Sequence, residues 1–276
     1  MRNLASIFIL FVFFLASCSQ SSKQDNPVTT KALPAQQDKS IPGAPVFALT
    51  AITTNFDQYW EYHTRYVKLY RDFLAFDENA SPITKKAFLQ QLSTGRFLPF
   101  LLKSKNPTSC YKLVEIPATI KEETSAIIAD YAKTQLGFFN MEAKPVPDFD
   151  FVDINGVRYT SANTKGKIVL FKCWFIGCAT CVQEMPELNR IVERYKNRKD
   201  ILFISLASDK KKPLQDFLVK TKFDYAVVPD QDKYMSGKLN VIAYPTHFLI
   251  DKNGILTKIV DTEKEVSEVL ETMAVK

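Results

Sequence analysis

The spacing of hydrophobic and polar positions changes period several times along this chain, and each change marks an element. At 167–175 the run Lys167-Ile168-Val169-Leu170-Phe171-Lys172-Cys173-Trp174-Phe175 is almost continuously apolar and β-prone, which predicts a central strand covered on both faces. Directly after it, apolar residues at 182, 185, 188, 191, 192 and 195 recur with a helical period. Farther on, the pattern predicts a strand at 201–206, a helix at 214–220, a strand at 225–228 and a helix at 233–239. A hairpin of strands 246–250 and 255–260, turning at Lys252-Asn253-Gly254, and a helix at 264–273 close the sequence. Asp148 to Ile154 is a further strand, leading to a turn at Gly156. Alternating strands and helices followed by a hairpin and a helix describe an α/β domain with a mixed central sheet flanked by helices.

Upstream of Pro145-Val146-Pro147, which marks a boundary, residues 46–143 read as a small, mainly helical domain and 144–276 as the α/β domain. A helix is predicted over 54–76, with Phe56, Tyr59, Trp60, Tyr66, Tyr70, Phe73 and Leu74 on one face. His63 lies on the same stripe, as an ordinary buried or edge histidine would. Ser81 and Pro82 suit an N-cap and first helical position, and Gly95 a stop, giving a helix at 82–93. Segments 97–102 and 111–116 suit short paired strands, and 121–139 a third helix with Ile127, Ile128, Tyr131 and Leu136 facing inward. No catalytic constellation stands out in this half.

The first residues add a location. Met1-Arg2-Asn3 is short and positive, and 4–16 is strongly apolar but too short to span a bilayer, as a signal-peptide core is. It ends in Leu15-Ala16-Ser17-Cys18, which resembles the lipobox of bacterial lipoproteins and predicts a signal peptide at 1–17 with lipidation at Cys18. Residues 18–45, rich in Ser, Gln, Lys, Asp and Pro, read as a flexible tether. The expected location is therefore the cell envelope, lipid-anchored with the folded part in the periplasm, where disulfides persist. Composition adds little: 46% of the 276 residues are hydrophobic, as in ordinary folded proteins. The net charge of +6 is dispersed, with no basic block beyond Lys210-Lys211-Lys212, so a nucleic-acid partner is not expected.

The chemistry concentrates where the central strand hands over to a helix, at Cys178-Ala179-Thr180-Cys181. A thiol at a helix N-terminus faces unpaired backbone N–H groups and the positive end of the helix dipole, which favour thiolate, the attacking form. A second thiol one turn on can resolve a mixed disulfide. Zinc is the rival reading of such a pair. It would need further ligands, and the other thiols, Cys18, Cys110 and Cys173, are widely spaced, with only two histidines in the chain. The pattern reads as a redox dithiol, with neither metal nor cofactor expected.

Residues 145–276 resemble the thioredoxin fold and, within it, the TlpA/ResA-like envelope thiol–disulfide oxidoreductases. The resemblance rests on Pro147-Asp148-Phe149 with Asp153-Ile154-Asn155-Gly156, on Gly166-Lys167-Ile168-Val169-Leu170 leading to the cysteine pair, on Glu184-Met185-Pro186-Glu187-Leu188-Asn189, and on Tyr244-Pro245-Thr246-His247 through Gly254. A helical domain joined to such a domain in one lipoprotein also resembles chains of the Bacteroidetes group. The resemblance implies that Cys178 is the nucleophile, Cys181 the resolving thiol, and Pro245 a cis-proline that, with Tyr244 and Thr246, presents backbone to an extended substrate segment. Glu184 falls at the family's proton-accepting acid, and partial burial would raise its pKa for that task. Pro186 is expected to kink the helix by deleting one hydrogen bond.

The chain departs from the thioredoxin pattern at three places. Gly177 replaces the usual tryptophan before the first cysteine, and Ala179-Thr180 lacks a proline. Lys172 stands where thioredoxin has a buried aspartate, either paired, with Glu184 for example, or turned out along its stem, and in reach of the thiols it would tune their redox balance. Cys173 suits a buried small hydrophobe; a Cys110–Cys173 bridge is left open, because sequence gives no distance. A peroxiredoxin reading lacks its usual threonine, Phe175 standing three residues before Cys178. The implied function is reduction of envelope protein disulfides, fed by a membrane electron donor. The alternatives are a non-catalytic scaffold lipoprotein and, through His247 beside the thiols, a copper-handling protein.

Overall fold

The computed structural model describes residues 42–275 apart from Asn106; the signal peptide, Cys18 and nearly all of the tether lie outside the described residues. The first lobe runs α1 (Leu49–Ile52), α2 (Phe56–Tyr66), β1 (Phe73–Phe76), β2 (Pro82–Ile83), α3 (Lys85–Leu92), β3 (Phe97–Leu102), β4 (Ser109–Glu115) and α4 (Lys121–Met141). More of these residues are helical than extended, yet the lobe is organised around a mixed four-stranded sheet of order β2-β1-β4-β3, with β1 parallel to β4. The paired strands expected near 97–102 and 111–116 are β3 and β4, antiparallel to one another.

Three local expectations are corrected here. The aromatic stripe over 54–76 is not one helix: α2 stops at Tyr66, and residues 73–76 form a strand. The stop is made at long range, because the Tyr111 hydroxyl on β4 donates to the Tyr66 carbonyl (2.7 Å) and accepts from the Lys68 N–H (3.0 Å). Ser81 is not the cap of α3. Thr84 is, its Oγ1 accepting from the Ala87 N–H, while Pro82 lies in β2, where a missing N–H is tolerated at the sheet edge. On α4, Ile128 is buried but Ile127 is 39% exposed, because the buried stripe runs through 124, 128, 129 and 132 and leaves 127 at its edge.

The second lobe runs β5 (Asp150–Val152), β6 (Arg158–Thr160), β7 (Ile168–Trp174), α5 (Ala179–Gln183), α6 (Met185–Arg194), β8 (Ile201–Ala207), α7 (Lys211–Leu218), β9 (Ala226–Val228), α8 (Asp232–Gly237), β10 (Thr246–Ile250), β11 (Leu256–Val260) and α9 (Glu263–Ala274). Its sheet has the order β11-β10-β7-β8-β9, with β7, β8 and β9 parallel and β10 and β11 antiparallel additions. All seven residues of β7 are buried, as expected of a strand with covered faces on both sides. Helices α5 and α6 replace the single helix expected over 182–195. Pro186 has no N–H to give to the turn before it, and the break falls at Glu184, which ends one helix and begins the next.

The lobes share core. Tyr70, 2% exposed, packs in the apolar cluster of the second lobe that contains Trp174, Cys181 and Leu270, and Phe138 of α4 packs with Phe149, Phe171 and Phe248. Around these seats, Glu268 accepts from both Tyr70 Oη and Arg71, and Lys258 Nζ bridges Asp72 (3.1 Å) and Glu142 (2.9 Å).

Candidate active site

Strand β7 ends at Trp174, and the chain turns through Phe175, Ile176 and Gly177 before entering α5. The turn is held by the Asp209 carboxylate, which accepts from the Ile176 N–H (2.8 Å), and by the Phe175 carbonyl, which accepts from the Cys178 N–H (3.1 Å). Cys178 is the N-cap of α5, its sulfur accepting from the Cys181 N–H at 3.2 Å, and it is joined to Cys181 in a disulfide. Cys178 retains 7% exposure and Cys181 none, so an incoming group meets Cys178 first.

The Tyr244–Pro245 peptide is cis, as the resemblance implied. Thr246, the first residue of β10, pairs in register with Cys173 of β7, which puts Pro245 beside the C-terminal end of β7, where the cysteine loop begins. The Tyr244 ring packs edge-on against Phe175 at 5.4 Å, and Thr246 Oγ1 donates to the Ala243 carbonyl (2.8 Å). Phe175, Ile176 and Tyr244 are half-buried against the apolar cluster that holds Cys178, and the Thr180 hydroxyl lies 3.5 Å from its sulfur. At Gly177 an added Cβ would meet only the Phe175 ring, at 3.3 Å, so no crowding of the backbone requires glycine there.

One helical turn beyond Cys181, Glu184 belongs to a buried polar cluster. Lys172 of β7, His247 of β10 and Ser205 of β8 are register neighbours across three strands and so share one face of the sheet. Glu184, one helical turn past Cys181, covers that face. Its Oε1 receives the Lys172 ammonium, and His247 Nε2 lies 3.1 and 3.3 Å from Oε1 and Oε2. The Lys172, Glu184 and His247 side chains are 0%, 6% and 2% exposed.

Burial on its own raises the Glu184 pKa, but the His247 bond and the Lys172 charge outweigh it and hold the carboxyl below its ordinary range. This corrects the expectation of a raised value. Two donors reach the carboxylate, and the one from His247 comes from a strand 63 residues away. Burial lowers His247, with Glu184 offsetting part of the effect, so the imidazole is neutral at pH 7 and donates from Nε2. Burial likewise lowers Lys172, the Glu184 charge again opposing. Of the two placements open to Lys172, the structure has the paired one.

Cys173 is fully buried in the second lobe and Cys110 sits in the core of the first, both as free thiols, so the bridge left open between them is not formed. Burial pushes the Cys173 thiol well up, as befits a core residue rather than a second redox partner. The contribution of His247 to the Glu184 site was missed from sequence. Its signal was available only through register: two residues beyond Pro245 on β10 lies opposite Lys172 on β7. A separate cavity of about 650 Å³ opens between the lobes beside Tyr70, Lys258 and Glu268. It reaches Ile168, at the far end of β7 from the cysteines, and holds no exchange chemistry.

Residues 143–259 match the model of the AhpC/TSA family. Thioredoxin-like protein YneN of Bacillus subtilis is 27% identical over 146 residues, which cover 51% of this chain and 84% of that protein. Thiol-disulfide oxidoreductase ResA of Bacillus cereus is 31% identical over 134 residues, 48% of this chain and 73% of that protein. The solved thioredoxin domain of a thiol-disulfide oxidoreductase from Bacteroides vulgatus is 20% identical, covering 48% of this chain and 97% of that one, with a TM-score of 0.43. With a cysteine pair at the end of its central strand and a relative of this identity and coverage, the chain belongs to the thioredoxin-fold, ResA-like family of thiol–disulfide oxidoreductases.

Proposed function

We propose that the protein reduces disulfides of proteins in the cell envelope, held at the membrane through a lipid on Cys18 and supplied with electrons by a membrane donor. The observation that carries the exchange chemistry is the asymmetry of the pair: Cys178, 7% exposed on a helix N-cap, and Cys181, fully buried one turn before Glu184. In the reduced protein, Cys178 thiolate attacks a substrate disulfide, forming a mixed disulfide and releasing one substrate thiolate. Cys181 then attacks the Cys178 sulfur, with Glu184 accepting its proton, and releases the second substrate thiol. Tyr244, Pro245 and Thr246 would line the substrate segment beside Cys178, and the apolar side chains there favour a substrate with apolar residues flanking its cysteine. Lys172 and Pro186 would tune the exchange through the placement of Glu184.

The test is reduction of insulin disulfides by the full chain in detergent, with dithiothreitol as electron source, alongside Cys178→Ser. Turnover lost in the variant is expected. A folded wild-type protein with no turnover would overturn the reading in favour of a scaffold that keeps the fold without catalysis.

A further inference from the structure

Glu184 is held from both oxygens, and only one of its two partners lies on the strand that leads to the cysteines. Lys172 reaches Oε1 from β7, while His247 reaches over both oxygens from β10, the strand that follows the cis peptide. Helix α5 is only five residues long and ends at Glu184 because of Pro186, so its own backbone gives that side chain little restraint. The carboxylate is therefore aimed by the sheet beneath it.

We propose that His247 is a positioning residue of the exchange reaction, fixing the Glu184 carboxylate one turn beyond Cys181 and keeping it ionised as the acceptor of the Cys181 proton. The inference rests on the exchange chemistry set out above. In the step concerned, the Cys181 S–H proton passes to Glu184 and the sulfur electron pair forms the Cys181–Cys178 bond. The bond from Cys178 to the substrate sulfur breaks, and its electron pair leaves on the substrate as thiolate. Over the full reaction the substrate gains two electrons and the cysteine pair loses two.

Other groups face the cluster. Glu263, at the start of α9, is within electrostatic reach of Lys172 and His247, and Cys173 neighbours Lys172. Tyr225, just before β9, senses the Glu184 charge and has a buried hydroxyl with no hydrogen-bond partner. None of these donates to Glu184 through a hydrogen bond found among the described residues, so removing His247 leaves Lys172 as its one donor. A hydrogen bond to a charged acceptor is strong enough to change proton affinity by about one pH unit.

The experiment follows the reaction of the reduced full chain with a coloured aromatic disulfide reagent across about pH 3 to 8, a range that takes in an acid limb set by a carboxyl held low. The first phase reports attack by Cys178, and the second reports attack by Cys181 on the mixed disulfide. The acid limb of the second phase is expected to move upward by about one pH unit in His247→Phe. It should return toward the wild-type position in His247→Gln, whose Nε2 restores a donor, and vanish in Glu184→Gln. Glu184→Gln combined with His247→Phe should behave as Glu184→Gln alone. Should His247→Phe not fold, His247→Asn, whose shorter side chain withdraws the donor, carries the same expectation. An acid limb that stays in place in a folded His247 variant would overturn the proposal, as would a wild-type protein with no second phase. Because the reagent is not a protein, a chain that completes both phases yet fails to reduce insulin defeats the functional reading and leaves this test intact.

Discussion

His247 Nε2 lies 3.1 Å from Glu184 Oε1, though the two residues stand 63 positions apart on different elements of the second lobe, one on β10 and one at the α5–α6 break. The contact joins the strand that follows the cis-proline to the helix that carries the cysteines. With Lys172 it completes a buried charge cluster around Glu184, one helical turn beyond Cys181. A buried charge is costly unless paired and hydrogen-bonded, and here the carboxylate has both.

Removing Lys172 should be severe. Lys172→Met leaves the Glu184 charge buried with only a neutral histidine beside it, a class of change that costs about 3–5 kcal/mol. Adding Glu184→Gln to that variant should recover most of the loss, because the uncompensated charge goes with it. Urea unfolding of the oxidised proteins reads both. A Lys172→Met cost below about 1 kcal/mol, the range of exposed pairs, would show that the pair is not buried in solution.

Asp261 should make stability depend on pH. It sits between β11 and α9, receives Gln135 Nε2 of α4 at 3.4 Å, and has its carboxyl pushed up to about 7 by burial, with the Glu265 charge adding to the effect. The unfolded value is near 3.9, so between about pH 4 and 7 the folded protein holds a proton that the unfolded chain has released. This contribution to stability is full below about pH 4 and is lost as pH rises toward 7. Asp261→Asn should therefore match wild type near pH 4 and exceed it by on the order of 2–3 kcal/mol near pH 8. A difference independent of pH would contradict the assignment.

The four cysteines of the described residues should fall into two classes. Cys110 and Cys173 are 3% and 0% exposed and burial raises both thiols, whereas Cys178 keeps 7% exposure and caps a helix N-terminus. Iodoacetamide on the reduced, folded protein should label Cys178 first, with Cys110 and Cys173 modified only after unfolding. Peptide mass mapping reads the order. Early labelling of Cys173 would argue for a second reactive thiol.

What the sequence shows of this molecule follows from how local each cause is. Strand β7, the cysteine pair and the helix break at Pro186 depend on residues within a few positions, and they stand where the pattern puts them. The end of α2 depends on Tyr111, more than forty residues away, so the aromatic stripe running through Phe73 and Leu74 read as one helix. The same distance effect hid the state of Glu184. Burial was foreseeable from its place beside the cysteines, but the His247 donor exists only once β10 is in register with β7. The sheet of the first lobe was half visible, in β3 and β4; β1 and β2 are short and gain their pairing from β4 and from each other.

Tyr70 should couple the lobes. Its ring belongs to the first lobe by sequence and to the core of the second by packing. Tyr70→Ala opens a cavity there and should cost about 3–5 kcal/mol, as truncation of a buried aromatic does. The expected signature is a single thermal transition in the wild type that separates into two in the variant. A variant that melts as one unit with little loss would place the coupling elsewhere.

The central claim, that Cys178 and Cys181 form a reducing dithiol, is tested most directly by their reduction potential. Quantitative alkylation across a series of dithiothreitol poises measures it, with about 30 mV corresponding to a tenfold change for a two-electron couple. The account predicts one two-electron transition confined to these thiols, near the value of about −270 mV that thioredoxin shows. A pair that never titrates, or one poised near the −120 mV of a strong oxidant, roughly five decades away, would contradict it.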